Sequence, residues 1–394
     1  MTETAIFDTK KELNELTNQL SISRRVGFFL GAGISAALEL PDIKKLTKLV
    51  EAGIDPNDQP KIKKIKECLF AHGNSAPTIE DILNQIRLIR MLTKGLETQE
   101  FNSISGSDSE KLDKDVCDKI SEIISEKEQT ADLSLIKKFL SWLNWLNRDF
   151  TKEIFTTNYD LILEKSLEGL QIPYFDGFVG GNEAFFYPES IEPKDKSEMI
   201  PLSWIRLWKL HGSFNWFWKK NKSIDSYRVV RMGAHSKPSD GNTGELVIYP
   251  SREKYEASRK QPFITYFDRL NSYLQDGEGL FIISGYSFLD QHINQIIFNS
   301  IKQNNRLHIA AVLFDDEPIN VMTNHSISQM NLSAYGPTKV IIGGRQGEWN
   351  PKETKTEKDE VDIKKLGDFR KLVSFFIESS GKKLKIEQEV EKIS

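Results

Sequence analysis

Apolar residues along the chain follow two rhythms that exchange at defined points. Thr9 to Leu20 repeats at helical spacing, and Val26-Gly27-Phe28-Phe29-Leu30 is an unbroken apolar run that stops at Gly31-Ala32-Gly33. The stretch reads as helix, strand, glycine turn and helix, with a further helical pattern from Ile43 to Val50. Between about Asp58 and Asp149 only helical spacing remains. Ile79, Ile82, Leu83, Ile86 and Ile89 share one face, as do Leu112, Val116, Ile120 and Ile124, and later Ile136, Phe139, Leu140 and Leu143. Within this block, Glu97 to Glu110 is rich in Ser, Asp, Glu, Asn and Gly and reads as a mobile loop.

Strand and helix alternate again from Glu153-Ile154-Phe155-Thr156-Thr157, followed by a helix carrying Leu161, Leu163 and Leu167. Apolar segments recur at Arg206 to Leu210, Leu246 to Tyr249, Leu280 to Ser284, Leu307 to Phe314 and Val340 to Ile342. Several are apolar throughout, as strands covered on both faces are, which predicts a buried parallel sheet. Gln171 to Ile200 and Asn215 to Thr243 show no clear period and read as long loops near a pocket. The pattern thus divides the chain into an α/β part, residues 1–57 and 150–346, a helical insertion, residues 58–149, and a C-terminal helix with a charged tail, residues 347–394.

Composition narrows the function classes. Apolar residues at 39% and charged residues at 28% are a globular mixture. The 53 basic and 57 acidic side chains leave a formal charge of -4, which gives no overall attraction to nucleic acid. No segment approaches the ~20 apolar residues of a membrane span. The opening Met1-Thr2-Glu3-Thr4 has no apolar export signal, so a cytoplasmic protein is expected. Two cysteines, Cys68 and Cys117, cannot build a four-cysteine zinc ribbon.

Four short motifs follow apolar strands. Gly31-Ala32-Gly33-Ile34-Ser35-Ala36 has the spacing of a phosphate-binding turn, where bare backbone and helix N-H groups meet an anion, and it equally suits a tight turn without ligand. An acid about 20 residues on would complete a dinucleotide fingerprint, but Glu51 follows a helical pattern. Thr156-Thr157-Asn158-Tyr159-Asp160 offers an amide that both donates and accepts, and read alone is a helix cap. Leu210-His211-Gly212-Ser213 places a histidine where a general base or a structural histidine would stand. Ser284-Gly285-Tyr286-Ser287-Phe288-Leu289-Asp290 repeats the strand and glycine turn, with Asp290 as a candidate cap. Asp290 and His292 lack a third ligand for a metal, and no G-x-S-x-G elbow occurs.

In this order the motifs resemble the sirtuin family: Gly31 to Ser35 with Pro41-Asp42, then Thr157-Asn158-Tyr159-Asp160, then His211-Gly212, then Gly285-Tyr286-Ser287. The resemblance covers roughly residues 22 to 55 and 150 to 345. It implies a Rossmann-like, sirtuin-type parallel sheet with a large helical insertion, binding NAD. Gly31, Ala32, Gly33 and Ser35 would surround the phosphates, Asn158 and Asp160 the nicotinamide ribose, Gly285 and Ser287 the adenosine side, and His211 would be the base. Deacylating sirtuins carry four zinc cysteines, a Gln before the Asn and an Arg soon after Pro-Asp. Here the cysteines are missing, Thr157 stands for Gln, and Ile43-Lys44 follow Asp42. The chain therefore looks more like the sirtuin-like NAD hydrolases of bacterial antiphage defence, most like the type paired with a HerA-like ATPase. That implies NAD as substrate without a metal, nicotinamide and ADP-ribose as products, and a cytoplasmic homo-oligomer gated by assembly that depletes NAD in abortive infection. It implies no membrane and no sequence-specific nucleic acid. A protein deacylase and a non-catalytic NAD- or ADP-ribose-binding subunit stay open as alternatives.

Overall fold

The computed structural model describes residues 5–93, 99–146, 149–192, 200–221, 226–233, 243–248, 261–326, 329–351 and 361–391. Six parallel strands make its centre: β1 (Val26–Leu30), β2 (Lys152–Thr156), β3 (Ile205–Lys209), β4 (Gly279–Ser284), β5 (Leu307–Val312) and β6 (Leu332–Tyr335). Their spatial order is 3-2-1-4-5-6, with every neighbouring pair parallel. This is the doubly wound order of a mixed α/β fold, in which the connections leave β1 and β4 toward opposite halves of the sheet. Tyr174–Phe175 extends the edge beyond β3, and Lys339–Ile342, Arg345–Trp349 and Ala5–Phe7 extend the other to give ten strands.

Every residue of β1, β2 and β3 is buried, because successive side chains enter two different cores. Val26, Phe28 and Leu30 face one layer of helices, Thr9–Ile22, Ser134–Trp145, Ile162–Gly169 and Phe369–Ser380. Phe29, Phe281 and Ile283 face the other, formed by Phe263–Gln275, Gln291–Gln303 and Glu317–Ser326. Each fully buried large side chain contributes about 1.5–3 kcal/mol. A third cluster joins helices Ile43–Gly53, Gln59–Ala71, Ile79–Thr93 and Gly106–Thr130 into a helical body, and it takes in Leu161 from the loop after β2 and Phe214 from the strand Gly212–Asn221 that follows β3. That body therefore packs against the C-terminal ends of the central strands.

Several sequence expectations change in three dimensions. Leu246 lies in a strand, Thr243–Ile248, but this strand belongs to a second, five-stranded sheet and pairs antiparallel with Gly212–Asn221. The rest of that segment, Tyr249, lies outside the described residues. Val340 to Ile342 does join the main sheet, antiparallel rather than parallel. The two stretches read as loops hold Phe178–Val179, Ala184–Phe186 and Ser226–Arg231 of the second sheet. They escaped the pattern because cross-strand aromatic packing, not strict alternation, holds them: Phe178 lies 4.8 Å from Trp216, centroid to centroid. The polar stretch read as a mobile loop forms a hairpin, Glu100–Phe101 with Ile104–Ser105, and then enters a helix through a Ser105 and Asp108 capping box; residues 97 and 98 lie outside the described residues.

The helix Ser134–Trp145 and the C-terminal helix share the sheet core. Trp142 stacks on Phe376 at 4.2 Å and 7°, and Phe28 meets both edge-on at 5.9 Å. The residues after the last sheet strand are thus partly core: Phe376 is fully buried, and Lys383–Glu391 adds another helix. Among the described residues no helix is long and apolar enough to cross a membrane. Phe376→Ala is expected to lower stability by about 3–5 kcal/mol in urea unfolding, as removal of a buried aromatic does. A loss below about 1 kcal/mol would show that this helix is not an integral part of the core.

Candidate active site

In a doubly wound sheet the loops after β1 and β4 diverge, opening a crevice at the carboxyl ends of those strands. Here the two glycine turns meet at that point. A Cβ on Gly31 would lie 2.3 Å from the Gly285 carbonyl oxygen, and one on Gly33 would lie 2.7 Å from the Gly285 Cα. Gly285 itself has φ +68, a backbone region open to glycine. The Gly31 amide donates to the Ser284 carbonyl and the Gly33 amide to the Gly285 carbonyl, each at 2.9 Å. These two amides are therefore engaged by backbone, and the missing side chains are what let the two turns close on each other. Ala32, Gly33 and Ser287 are exposed at the rim, as is Leu289 at 79%.

The loop after β2 is tied to the first turn. Asn158 Nδ2 donates to the Gly31 carbonyl at 3.1 Å and to Ser35 Oγ at 2.8 Å, while its backbone amide donates to Thr156 Oγ1 at 3.1 Å. Ser35 Oγ in turn donates to Asp160 Oδ2 at 2.6 Å, and Asp160 Oδ1 accepts from the Ile162 amide at 3.3 Å. Ser35 and Asp160 are both buried. Their polar atoms act on Asn158 and on the helix start, so the structure places them behind the asparagine rather than at the rim. With both Nδ2 hydrogens directed inward, the Asn158 Oδ1 keeps a fixed heading.

Lys209, at the end of β3 and 2% exposed, joins this loop to the next. Its Nζ donates to the Tyr159 carbonyl at 3.2 Å, the Asp160 carbonyl at 2.5 Å, Ser213 Oγ at 2.9 Å and Glu164 Oε1 at 2.9 Å. Burial raises the Glu164 carboxyl above its usual range, against the opposing pull of Lys209. Two residues on, His211 Nε2 is 3.1 Å from Asp290 Oδ2, with the histidine side chain 14% exposed. Its ring centroid lies 6.3 Å from that of Tyr159, the neighbour of Asn158. Tyr159 donates its hydroxyl to Glu80 Oε1 of the helical body at 2.6 Å, and burial first, then Glu80, raises that phenol well above its ordinary value.

Asn158, His211 and the two glycine turns are thus linked in one run of contacts across the ends of four strands. Ser287 stands beside the second turn, with no hydrogen bond among the described residues. Sequence reasoning missed Lys209, Tyr159 with Glu80, and the second role of Asp290. Lys209 left a signal, a lysine ending an apolar strand. Asp290 was legible only as a cap. Among the described residues no three His, Cys, Asp or Glu side chains cluster as metal ligands. A separate groove of about 670 Å³ lies by Ala37 to Glu39 and the C-terminal helices, where Lys127, Lys138 and Arg370 face Asp132 and Glu378. It contains none of the residues above.

Lys209→Met leaves Glu164 buried without its cation and is expected to lower stability by about 3–5 kcal/mol in chemical denaturation. A cost near zero would mean the pair does not fix the loop. Gly31→Ala drives a methyl into the Gly285 carbonyl and is expected to cost about 1–3 kcal/mol. An unchanged thermal midpoint would contradict that contact.

No protein of curated function matches the chain in sequence. Among solved structures, similarity extends to a Sir2 protein with a deacetylated p53 peptide and 3'-O-acetyl ADP-ribose, at 11% identity and TM-score 0.39 over 94% of this chain and 98% of that one. A Sir2 homologue in complex with NAD gives 11% and 0.38 over 97% and 95%. Sir2Tm bound to a propionylated peptide gives 12% and 0.36 over 79% and 90%. Residues 152–335, which carry β2 to β6 with Asn158, His211 and the second glycine turn, match the family model described as a SIR2-like domain.

Proposed function

We propose that the protein hydrolyses NAD to nicotinamide and ADP-ribose at the crevice between β1 and β4. The observation that best supports this reading is that an oriented asparagine and a carboxylate-backed histidine follow two neighbouring strands, beside two glycine turns that close on each other. The match of residues 152–335 to a SIR2-like domain adds to it. In the reaction the bond from the ribose anomeric carbon to the pyridinium nitrogen breaks, and its electron pair neutralises the ring. A water oxygen bonds to the same carbon and releases a proton. The protein's tasks are to hold the sugar still, place the water and receive that proton.

Asn158 suits the second task, because Gly31 and Ser35 hold its amide and Oδ1 is left to accept from water or a ribose hydroxyl. His211 suits the third. Ala32, Gly33 and Ser287, exposed beside the two turns, suit the pyrophosphate, whose binding would hold the anomeric carbon through energy remote from the reacting bond. Leu289 and Phe314, exposed at 79% and 75% just beyond β4 and β5, offer apolar surface for a flat ring at the same edge.

Such an activity exhausts a cell's NAD unless restrained, so the reading includes control by assembly, as a homo-oligomer or with a HerA-like ATPase, and a role in antiphage defence. The Tyr159 and Glu80 hydrogen bond gives the helical body a direct hold on the asparagine loop. The test is incubation of the purified chain with NAD, alone and with the candidate partner, followed by chromatography of nicotinamide and ADP-ribose. Release of both is expected to rise on assembly, and Asn158→Ala or His211→Ala is expected to lower the rate by about 10²-fold or more. NAD left intact under every condition rejects the hydrolase, and maximal activity in a dilute monomer rejects the gating.

A further inference from the structure

We infer that Asp290 is a positioning residue that keeps the His211 proton on Nε2 and so turns the Nδ1 lone pair into the base. The catalytic half of this inference rests on the proposed NAD hydrolysis, while the tautomeric half rests on geometry alone.

Asp290 uses its two oxygens differently. Oδ1 accepts from the amides of His292 at 2.9 Å and Ile293 at 3.3 Å, capping the helix Gln291–Gln303. Oδ2 lies 3.1 Å from His211 Nε2. A cap needs only one oxygen, and Ser or Asn supplies it as well as Asp does, so capping does not account for the second contact. Capping does fix the carboxylate in place. The Tyr286 hydroxyl adds to this, lying 3.2 Å from the Asp290 carbonyl and 3.0 Å from Asn294 Oδ1. The heading of Oδ2 is therefore set by a helix terminus rather than by a flexible loop.

An ionised carboxylate oxygen only accepts, so Nε2 carries the hydrogen of the neutral ring and the lone pair resides on Nδ1. When Nδ1 takes a proton, the ring becomes a cation with a carboxylate already beside it, the arrangement by which an acid orients and supports a catalytic histidine. Among the described residues the Tyr159 ring also faces His211, with Glu80 behind it. The phenol, with burial and Glu80 both holding its proton on, is a neutral wall and does not compete for that role.

Two variants separate positioning from capping. In Asp290→Asn the oxygen is kept by the helix amides, so the NH2 group must face Nε2; a donor there reverses the tautomer and places the hydrogen on Nδ1. In Asp290→Ser the cap is kept and the ring is released without being reversed. The full chain labelled with 15N-histidine is compared at a pH where the ring is neutral, the His211 signal being identified by its loss in His211→Gln. The wild type is expected to show Nε2-H, Asp290→Asn Nδ1-H, and Asp290→Ser a mixture. For NAD cleavage, Asp290→Asn is expected to lose on the order of 10³-fold in kcat with KM little changed, and Asp290→Ser less, about 10- to 10²-fold. A structural role predicts the opposite ranking, because Asn is the closer fit. Activity in Asp290→Asn equal to or above that of Asp290→Ser, or an unchanged tautomer in Asp290→Asn, overturns the inference. If the wild type cleaves no NAD, the proposed reaction fails, and the tautomer signal still decides whether Asp290 sets the ring.

Discussion

Backbone against backbone, without an intervening side chain, is the contact on which this molecule is arranged. Gly31 and Gly33 close on Gly285 so tightly that a single methyl on either of the first two would enter the peptide of the third. That closeness lets the ends of β1 and β4 stay hydrogen-bonded up to the point where their chains part toward opposite sides of the sheet. The connections diverge at this point, and the residues where they part carry no side chains.

Around these turns the polar side chains are bonded into a connected set, with Glu164 Oε2 and Ser284 Oγ left buried without a hydrogen bond among the described residues. Asp160 holds Ser35, Ser35 accepts from Asn158, and Lys209 gathers the carbonyls of the same loop together with Glu164. Buried polar groups are costly when unpaired and directional when paired, so a network of this kind contributes more to geometry than to net stability. The consequence is that both side chains are held in advance, Asn158 through its amide nitrogen and His211 by Asp290. Tyr159 extends the set into the helical body through Glu80, and Leu161 does so through its amide, which donates to Glu128 Oε1 at 2.6 Å. The asparagine loop is thus gripped from the sheet and from the helices at once, which makes a shift of the helical body mechanically able to reach the site.

Much of the central sheet was legible in the sequence because strands covered on both faces write an unmistakable signal: Val26 to Leu30, Glu153 to Thr156 and Leu280 to Ser284 are apolar or buried throughout. The glycine turns were legible for the same local reason, since a strand that ends on glycine announces a tight reversal. The second sheet was not. Its strands hold together through packing of Phe178 on Trp216 and of Phe186 and Trp216 on Tyr266, across sequence separations that no window of neighbouring residues contains. The C-terminal helix showed its apolar face, but nothing local indicated that this face meets Phe28 and Trp142.

The sequence by itself determined the elements and the residue types available at strand ends, because propensity, periodicity and turn chemistry act over a few neighbours. It put Asn158, His211 and the glycines at the carboxyl ends of strands, and so on one edge of any parallel sheet they could form. Which of their atoms are engaged within the protein was decided only by tertiary structure. Ser35 and Asp160 turned inward to hold Asn158, and Asp290 reached from a helix cap to a histidine 79 residues earlier in the chain. A hydrogen bond depends on distance and direction in space, and the distance along the polymer carries no information about either.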